Sequence, residues 1–285
     1  MILVVGATGS VGGRIVHGLL ARGEAVRALA RPSSNHAPLT AAGATVVFGD
    51  LTDPASLVQA CAGVDTVITT ASVSKTGTDA IEHVDLQGSS QLIDAARQAG
   101  ARHFIFVSTV GASPDSPHPL FRAKGLVEQR LRESGLAFTI LQPSVFMDVW
   151  FPVLIEMPAF SGRPVTLVGQ STRRHAFIAE QDVAAFAVAA TSVPAARNAT
   201  LVIGGPDAVT FRDVVRAYED ASGRAIAIES VAPGEPIPGV PEVVSGLAAA
   251  LESFDTVIPM QEMARQYGVS QTSVVDFARS RVAAG

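Results

Sequence analysis

The sequence predicts an α/β fold in which helices cover both faces of a doubly wound parallel sheet. Short apolar runs alternate with segments of helical periodicity from the N-terminus to about residue 145. Some of the runs are apolar throughout, as in strands that are buried on both faces, for example "FIFV" at residues 104–107. The stretch "GATGSVGG" at residues 6–13 places glycines where the first strand must turn into the first helix.

The elements follow in order from these runs. Apolar runs predict strands at residues 2–6, 25–30, 44–50, 65–71, 103–109 and 138–143. Apolar side chains at helical spacing predict helices at residues 9–23, 53–63, 80–100 and 118–135. Each helix ends on a glycine that accepts the left-handed C-terminal conformation, namely Gly23, Gly63, Gly100 and Gly135. Right-handed crossovers then give the strand order 3-2-1-4-5-6 of a Rossmann fold.

The alternation stops after residue 145, so we predict a Rossmann core over residues 1–145 and a smaller C-terminal α/β lobe over 146–285. Some segments of the lobe are expected to return to the core. Thr210 and Asp213 have the spacing of a capping box at the start of a helix. Asp182 is expected to start the helix that follows it.

The composition predicts a globular cytoplasmic protein, a monomer or homodimer, that binds a small molecule. Hydrophobic residues make up 48% of the 285 residues, and the net charge of -5 without a basic run disfavours nucleic acid. Residues 1–5 lack the features of a secretory signal, and the apolar stretch at 145–160 is broken by charged residues and prolines, which disfavours a membrane span. Cys61 is the single cysteine, which excludes an internal disulfide, and no metal is expected.

The glycine-rich stretch predicts a dinucleotide phosphate site. Gly6 permits the tight turn after the first strand, Gly9 lets backbone N–H groups approach a pyrophosphate, and Gly12 lets the helix pack close to the strand. The helix N-terminus then favours the phosphate charge. A turn that uses glycine for steric reasons alone is the alternative. The predicted phosphate loop comprises Gly6, Thr8, Gly9, Ser10, Val11 and Gly12.

Arg31 favours NADPH over NADH as the cofactor. An NAD-selective site places a carboxylate at the end of the second strand, where it accepts from the ribose 2′-hydroxyl. Here that strand ends in Ala30 and Arg31, and the guanidinium group suits a 2′-phosphate. The alternative is that Arg31 is a solvated loop arginine.

The chain resembles the atypical, NmrA-like branch of the short-chain dehydrogenase/reductase superfamily, which includes isoflavone, phenylcoumaran benzylic ether and NAD(P)H:quinone reductases. The resemblance rests on "VGATGSVGG", "GDLTDPASL", "FRAKGLVEQRLRESGLAFTILQPSVFMD" and "HAFIAEQDVAAF", and it covers about residues 1–200. It implies that Asp50 and Leu51 contact the adenine, although Asp50 could instead be a turn residue. It also implies cofactor contacts from the residues that follow three further strands, namely Thr70, Ala71, Ser108, Pro143, Ser144 and Val145.

The tyrosine that typical members of this superfamily use as an acid is absent, because Leu120 stands four residues before Lys124. The resemblance therefore implies that Lys124 alone binds the nicotinamide ribose and donates a proton or stabilises charge as hydride arrives. A solvent-facing lysine paired with Glu128 is the alternative.

An aromatic stretch after the sixth predicted strand could wall a slot for a flat, apolar substrate. The same residues could instead be core. They are Phe146, Met147, Trp150, Phe151 and Phe160.

The predicted function is an NADPH-dependent reductase that transfers hydride to a small, apolar carbonyl, quinone or activated alkene. A redox sensor that binds NADP(H) without turnover is the alternative, and the missing tyrosine suits it. An epimerase of the extended branch is a third possibility, which the absent Tyr–Lys pair disfavours.

Overall fold

The computed structural model describes residues 1–73 and 81–284, and its main sheet confirms the predicted fold class. Seven strands pair in the order β3-β2-β1-β4-β5-β6-β8. The strands are β1 Ile2–Val5, β2 Val26–Ala30, β3 Thr45–Phe48, β4 Thr66–Thr69, β5 His103–Val107, β6 Phe138–Pro143 and β8 Ala199–Ile203. The pairs from β3 through β6 are parallel, so their carboxyl ends share one edge of the sheet.

The helices that accompany this sheet follow its strands in the chain. They are α1 Ser10–Ala21, α2 Ala37–Ala41, α3 Pro54–Cys61, α4 Ser89–Gln98, α5 Pro119–Glu133 and α8 Glu180–Ala190. A π-helical segment, Ile81–Gly88, leads directly into α4, and a short 3₁₀ turn, Pro194–Ala196, precedes β8. The four predicted terminal glycines, Gly23, Gly63, Gly100 and Gly135, all have positive φ, which confirms their role as left-handed helix ends.

The core of this region lies between the sheet and its helices. Every residue of β1 and of β5 is buried, which agrees with the apolar sequence of β1 and of residues 104–107 in β5. Helix α1 turns Ile15, Val16 and Leu19 to the sheet side, and all three are fully buried. Burial of each such side chain contributes roughly 1.5–3 kcal/mol.

The chain divides into two compact units. The first comprises residues 1–143, 183–202 and 267–269, and the second comprises 144–182, 203–266 and 270–285. The remaining elements are β7 Val165–Val168, β9 Ile228–Val231, α6 Met147–Phe151, a π-helical turn Pro152–Glu156, α7 Met157–Phe160, α9 Phe211–Ser222, α10 Glu242–Leu251, α11 Gln261–Tyr267 and α12 Val274–Ala284. Strands β7 and β9 pair in parallel as a separate sheet.

Aromatic rings and one buried ion pair organise the second unit. The Phe151 ring lies 5.0 Å from that of Phe177 and 5.6 Å from that of Phe277, in edge-to-face contact. Glu156 is buried in the same unit and accepts two hydrogen bonds from the Arg281 guanidinium group, at 2.9 and 2.6 Å. The Tyr218 hydroxyl donates to the same carboxylate at 2.6 Å, so the buried charge is well satisfied.

Of the two helix starts that the sequence predicts, the one at Thr210 is confirmed and the one at Asp182 is wrong. Thr210 and Asp213 form the predicted capping box at the start of α9. Asp182 does not start its helix, because α8 begins at Glu180. The Asp182 carboxylate instead accepts hydrogen bonds from the backbone and hydroxyl of Thr272, at 2.7 and 2.8 Å, and so fixes the segment before α12.

Within the described residues, no helix has both the length and the apolar surface that crossing a bilayer requires.

A buried histidine in the first unit is held in one protonation state. The Thr139 hydroxyl donates to the Ala196 carbonyl at 2.6 Å, so it can only accept from His103 Nε2, which lies 2.9 Å away. The opposite ring nitrogen, Nδ1, is buried and has no hydrogen-bond partner in the described part of the chain. A proton on Nδ1 would be a buried charge without an acceptor. Burial and, secondarily, the positive charge of Arg197 lower the pKa of His103 to about 4.

We predict that His103 makes the fold acid-sensitive between pH 6.5 and about 4. In the unfolded chain the imidazole takes up a proton near pH 6.5, whereas the folded chain resists it, so falling pH favours unfolding. The free energy of unfolding should lose about 2–3 kcal/mol from this group across that window. His103→Gln should remove that part of the pH dependence in chemical denaturation. His17→Gln, a change at an exposed helix position, should leave it in place; equal pH dependence in wild type and His103→Gln contradicts the assignment.

Candidate cofactor and active site

The glycine-rich turn between β1 and α1 has the geometry that the sequence predicts. Gly6 has φ 81°, a left-handed value that favours glycine. A Cβ on Gly12 would lie 2.1 Å from the Gly6 carbonyl oxygen, and one on Gly9 would lie 3.2 Å from it. Gly12 therefore has no room for any side chain, whereas a methyl group on Gly9 would require a small shift. The Gly9 N–H donates to the Gly6 carbonyl at 2.9 Å and closes the turn.

The start of α1 opens to solvent at this turn. Thr8, Gly9 and Ser10 are exposed, and Val11 is half-buried. Gly9 is the N-cap residue without a side-chain cap, and the first turn contains no acidic residue. The positive end of the helix dipole is therefore not neutralised by its own sequence, as a phosphate site requires.

The turn lies against the end of β4, where the strand order of the sheet reverses. A Cβ on Gly6 would lie 2.7 Å from the Thr70 hydroxyl and 2.9 Å from the Ala71 amide nitrogen. The Thr70 N–H donates to the Val5 carbonyl at 3.0 Å and continues the sheet pairing. Ligands of doubly wound sheets bind at the carboxyl edge next to this reversal point. The structure thus brings Gly6, Thr70 and Ala71 together there.

Arg31 and Asp50 lie at the ends of neighbouring strands, β2 and β3. Arg31 is exposed directly after β2. Asp50 accepts from the Thr52 N–H and hydroxyl, at 2.8 and 2.7 Å, so it also serves as a turn residue. Partial burial raises the pKa of Asp50, but the two Thr52 hydrogen bonds and the nearby Arg31 charge leave that pKa below its ordinary value. Leu51, beside it, is buried.

Lys124 is a buried residue, which makes the alternative of a solvent-facing lysine wrong. Its Nζ donates to the Val107 carbonyl at the end of β5, 3.3 Å away, and lies 5.1 Å from the centre of the Phe106 ring. Glu128 does not form the expected ion pair with it but pairs with Arg132 at 2.9 Å. Burial lowers the pKa of Lys124, while the carboxylates of Asp85 and Glu128 act in the opposite direction.

Asp85 is a site residue that the sequence analysis missed. It lies in the π-helical segment before α4, is 2% exposed, and its Oδ1 lies 3.9 Å from Lys124 Nζ. Oδ1 also accepts from the Ser72 hydroxyl at 2.6 Å, and Oδ2 accepts from the Val73 N–H at 3.0 Å. The sequence carried a signal for it, because an acid at position 85 falls on the apolar face that Leu92 and Ala96 continue at helical spacing.

The Ser108 hydroxyl forms a hydrogen bond inside the protein and does not point into solvent. Its hydroxyl donates to Glu128 Oε1 at 2.5 Å, and the Gln142 side-chain amide donates to the same oxygen at 2.8 Å. Ser108 and Glu128 are both buried. The hydroxyl proton of Ser108 is used on Glu128, so without rearrangement the Ser108 hydroxyl can only accept a hydrogen bond from a cofactor.

The segment after β6 belongs to the second unit from Ser144 onward. Pro143 ends β6, and its carbonyl accepts from the Val110 N–H at 3.0 Å. Val145 is half-buried and accepts from the Ile178 N–H through its carbonyl at 2.9 Å. The Ser144 hydroxyl is buried and has no hydrogen-bond partner among the described residues, as suits a group that a ligand satisfies.

The predicted aromatic wall separates into core and surface residues. Met147 and Phe151 are fully buried in the hydrophobic core of the second unit, which favours the alternative of plain core for these two. Phe146 and Trp150 are half-buried. Phe160 is 55% exposed and contacts the Tyr218 ring at 6.3 Å.

The residues of the first unit fit a pyridine dinucleotide. Gly6 and Gly12 form a backbone cradle that a Cβ would fill, and a helix N-terminus without acidic residues adjoins it. Arg31 offers a cation for a ribose phosphate. Lys124 holds a buried ammonium group at the carboxyl ends of the central strands, with one hydrogen bond, to Val107, among the described residues. Its other N–H groups can serve a ligand.

Comparison with known proteins agrees with this geometry. Residues 6–194 match the model of a protein family described as NAD(P)H-binding. An NAD(P)H azoreductase from Xenophilus azovorans is 31% identical over 296 residues, covering 100% of this chain and 99% of that protein. A photosystem II assembly factor from Synechocystis sp. is 32% identical over 230 residues, covering 81% of this chain and 70% of that protein.

Among solved structures, an NADPH-dependent quinone oxidoreductase from Escherichia coli, crystallised with NADPH, has the same fold. It superposes with a TM-score of 0.82 at 21% identity and covers 99% of each chain.

We predict that Gly12→Ala abolishes nucleotide binding, whereas Gly13→Ala leaves it within about threefold. A Cβ at position 12 would overlap the Gly6 carbonyl at 2.1 Å, but one at position 13 would lie 3.5 Å from the Ala7 carbonyl, an ordinary contact. Dissociation constants for NADPH, measured by calorimetry on folded protein, provide the test. Because Gly12→Ala also displaces α1, its melting temperature should fall as well; tight binding in this variant contradicts the cradle.

Proposed function

The chain belongs to the NAD(P)H-binding family, and from that premise we propose that it is an NADPH-dependent reductase. Its acceptors are small, conjugated and apolar: carbonyls, quinones or activated alkenes. The Xenophilus relative, named an azoreductase, adds azo compounds to the acceptors to be tested. The single observation that carries the proposal is the buried Lys124 side chain, whose Nζ lies at the carboxyl end of β5, on the edge of the sheet where the glycine cradle lies.

The residues of the chain provide binding, orientation and charge. NADPH, when bound, supplies the hydride. Gly6, Gly9 and Gly12 would hold its pyrophosphate against the start of α1, and Leu51 and Asp50 would flank the adenine. An acceptor that takes up hydride gains negative charge, and Lys124 Nζ is the cation in the first unit placed to stabilise it or to give up a proton. Burial strengthens that interaction, because little water competes with it.

Lys124 has no tyrosine partner, and this limits the chemistry. Tyr218 is buried in the second unit, and its hydroxyl donates to Glu156. Burial and the Glu156 carboxylate raise the pKa of Tyr218, so it is a poor proton donor. The reactions that remain accessible are those in which a single cation suffices, such as reduction of quinones and other delocalised acceptors that spread the incoming charge.

The apolar wall of the acceptor slot is proposed to consist of Phe146, Trp150 and Phe160, with Pro143, Ser144 and Val145 along the nicotinamide. Met147 and Phe151 support this segment from the core. The unpartnered Ser144 hydroxyl supports a polar contact to a bound ligand there.

A redox sensor that binds NADP(H) without turnover is the second candidate. It is favoured by the similarity to a photosystem II assembly factor, which is not named as an enzyme. The match to an azoreductase over the full length of both chains favours the reductase.

We predict that Lys124→Met lowers kcat by about 10²- to 10³-fold, because the variant keeps a side chain of similar length but loses the charge. The dissociation constant of NADPH should change by less than about tenfold. NADPH oxidation with a panel of quinones, enones and azo dyes measures kcat, and fluorescence titration measures the dissociation constant of NADPH. Arg122→Met, at an exposed position of the same helix, is the matched control. Unchanged turnover in Lys124→Met rules out its role, and no oxidation with any acceptor in wild type favours the sensor.

We also predict that Arg31→Ala weakens NADPH binding by about 10- to 100-fold, the value of a charge-assisted hydrogen bond to phosphate. NADH lacks the 2′-phosphate, so its affinity should change by less than about threefold. Arg97→Ala, at another exposed position, controls for the change in net charge. Equal losses for both cofactors would mean that Arg31 does not contact the 2′-phosphate.

A further inference from the structure

The Asp85 carboxylate forms contacts that neither the family match nor the proposed reaction assigns. Both of its oxygens accept hydrogen bonds from the segment after β4, Oδ1 from the Ser72 hydroxyl and Oδ2 from the Val73 N–H. A side chain with two acceptor atoms suits these two donors, whereas an asparagine would turn a donor towards one of them. The same Oδ1 lies 3.9 Å from Lys124 Nζ, and the side chains of both residues are less than 10% exposed.

We propose that Asp85 is the positioning residue for Lys124: its carboxylate holds the buried ammonium group in place and joins it to Ser72 and Val73. This inference rests on the proposed function of Lys124 and extends it to a second residue.

Of the two carboxylates that act on Lys124, Asp85 is the one whose substitution tests how the ammonium group is held. Glu128, on the same helix, is the other carboxylate that acts on the ammonium group. Glu128 is already committed to Ser108, Gln142 and Arg132, so its charge is shared with three donors, one of them a cation. From β5, the Val107 carbonyl and the Phe106 ring face the Lys124 ammonium group. Asp85, by contrast, has neutral hydrogen-bond donors, and its charge is directed to Lys124.

The π-helical segment that carries Asp85 also contacts the predicted adenine end of the site. A Cβ on Gly88 would lie 2.8 Å from the Leu51 Cβ and 2.9 Å from its carbonyl oxygen. One segment of eight residues, Ile81–Gly88, thereby lies against the loop after β3 and the segment after β4. π-Helical turns occur often at functional sites, where they re-aim side chains. Here Asp85 binds the segment after β4 through Val73, while Gly88 packs against Leu51 in the loop after β3.

The test uses the fact that the chain contains only two lysines, Lys75 and Lys124. Protein labelled with ¹³C at the lysine side chains should give two Cε signals, and Lys75→Arg assigns them. In the cofactor-free wild type, Lys124 should be an ammonium group at pH 7. In Asp85→Asn its titration midpoint should fall by about one pH unit or more, as expected when an opposite charge within about 4–6 Å is removed.

The control is Asp94→Asn, the same substitution on the helix that continues from the π-helical segment. Asp94 pairs with Arg130 at 2.6 Å on the surface and is not among the groups that act on Lys124, so the Lys124 midpoint should not move. Ser72→Ala removes a hydrogen bond from Asp85 but keeps the charge, and the Lys124 midpoint should stay within about 0.3 pH units of wild type. A merely structural role for Asp85 would lower the melting temperature without moving the lysine titration.

With NADPH and an active acceptor, Asp85→Asn should shift the upper limb of the kcat–pH profile downward by the same amount as the titration. A Lys124 midpoint unchanged in Asp85→Asn overturns the inference even if turnover persists. If wild type shows no turnover, the proposed function fails while the titration still decides the role of Asp85. If Asp85→Asn does not fold, a neutral Lys124 in wild type at pH 7 overturns the inference by itself.

Discussion

The approach of Gly12 to the Gly6 carbonyl oxygen is the contact on which the geometry of the first unit depends. It sets how closely α1 packs against β1, and therefore where the positive end of the helix points. Gly6 is fixed in turn by the end of β4, where Thr70 and Ala71 leave no space for a side chain. The turn is thus confined by the backbone of Gly6 against Gly12, and by the Thr70 hydroxyl and the Ala71 backbone against Gly6. A rigid backbone cradle is what pre-organises a site for a doubly charged pyrophosphate.

The second organising feature is the buried Lys124, which lacks the tyrosine that accompanies this lysine in typical short-chain dehydrogenases. Among the described residues, Lys124 contacts the Val107 carbonyl, the Phe106 ring and the Asp85 carboxylate, and none of these groups carries a proton that it could donate to a substrate. A neighbouring tyrosine would deliver a proton to a specific oxygen, whereas an ammonium group offers a field and several N–H donors. Such a site tolerates acceptors that differ in the position of the reduced atom. This agrees with the chemical variety of the reductions proposed for it.

The fold and the cofactor cradle were predictable because both depend on local pattern. Alternating apolar runs determined the strands and their order, and glycine spacing identified the turn after β1. The environment of Lys124 was not predictable, since its neighbours Asp85 and Val107 come from separate elements and meet only in the folded sheet. A lysine and a glutamate four residues apart suggested a surface ion pair, yet burial directs Glu128 to Ser108 and Gln142 instead. The aromatic stretch was ambiguous for the same reason, because sequence does not tell which face of α6 is inside.

The bidentate contact between Arg281 and Glu156 joins the last helix, α12, to the core of the second unit. The guanidinium group comes from α12, and the carboxylate it satisfies lies among the rings of Phe151 and Tyr218. Removal of Arg281 by C-terminal trimming would leave that carboxylate buried with, among the described residues, the Tyr218 hydroxyl as its remaining partner. The last helix therefore supplies the charge that makes burial of Glu156 in the second unit tolerable.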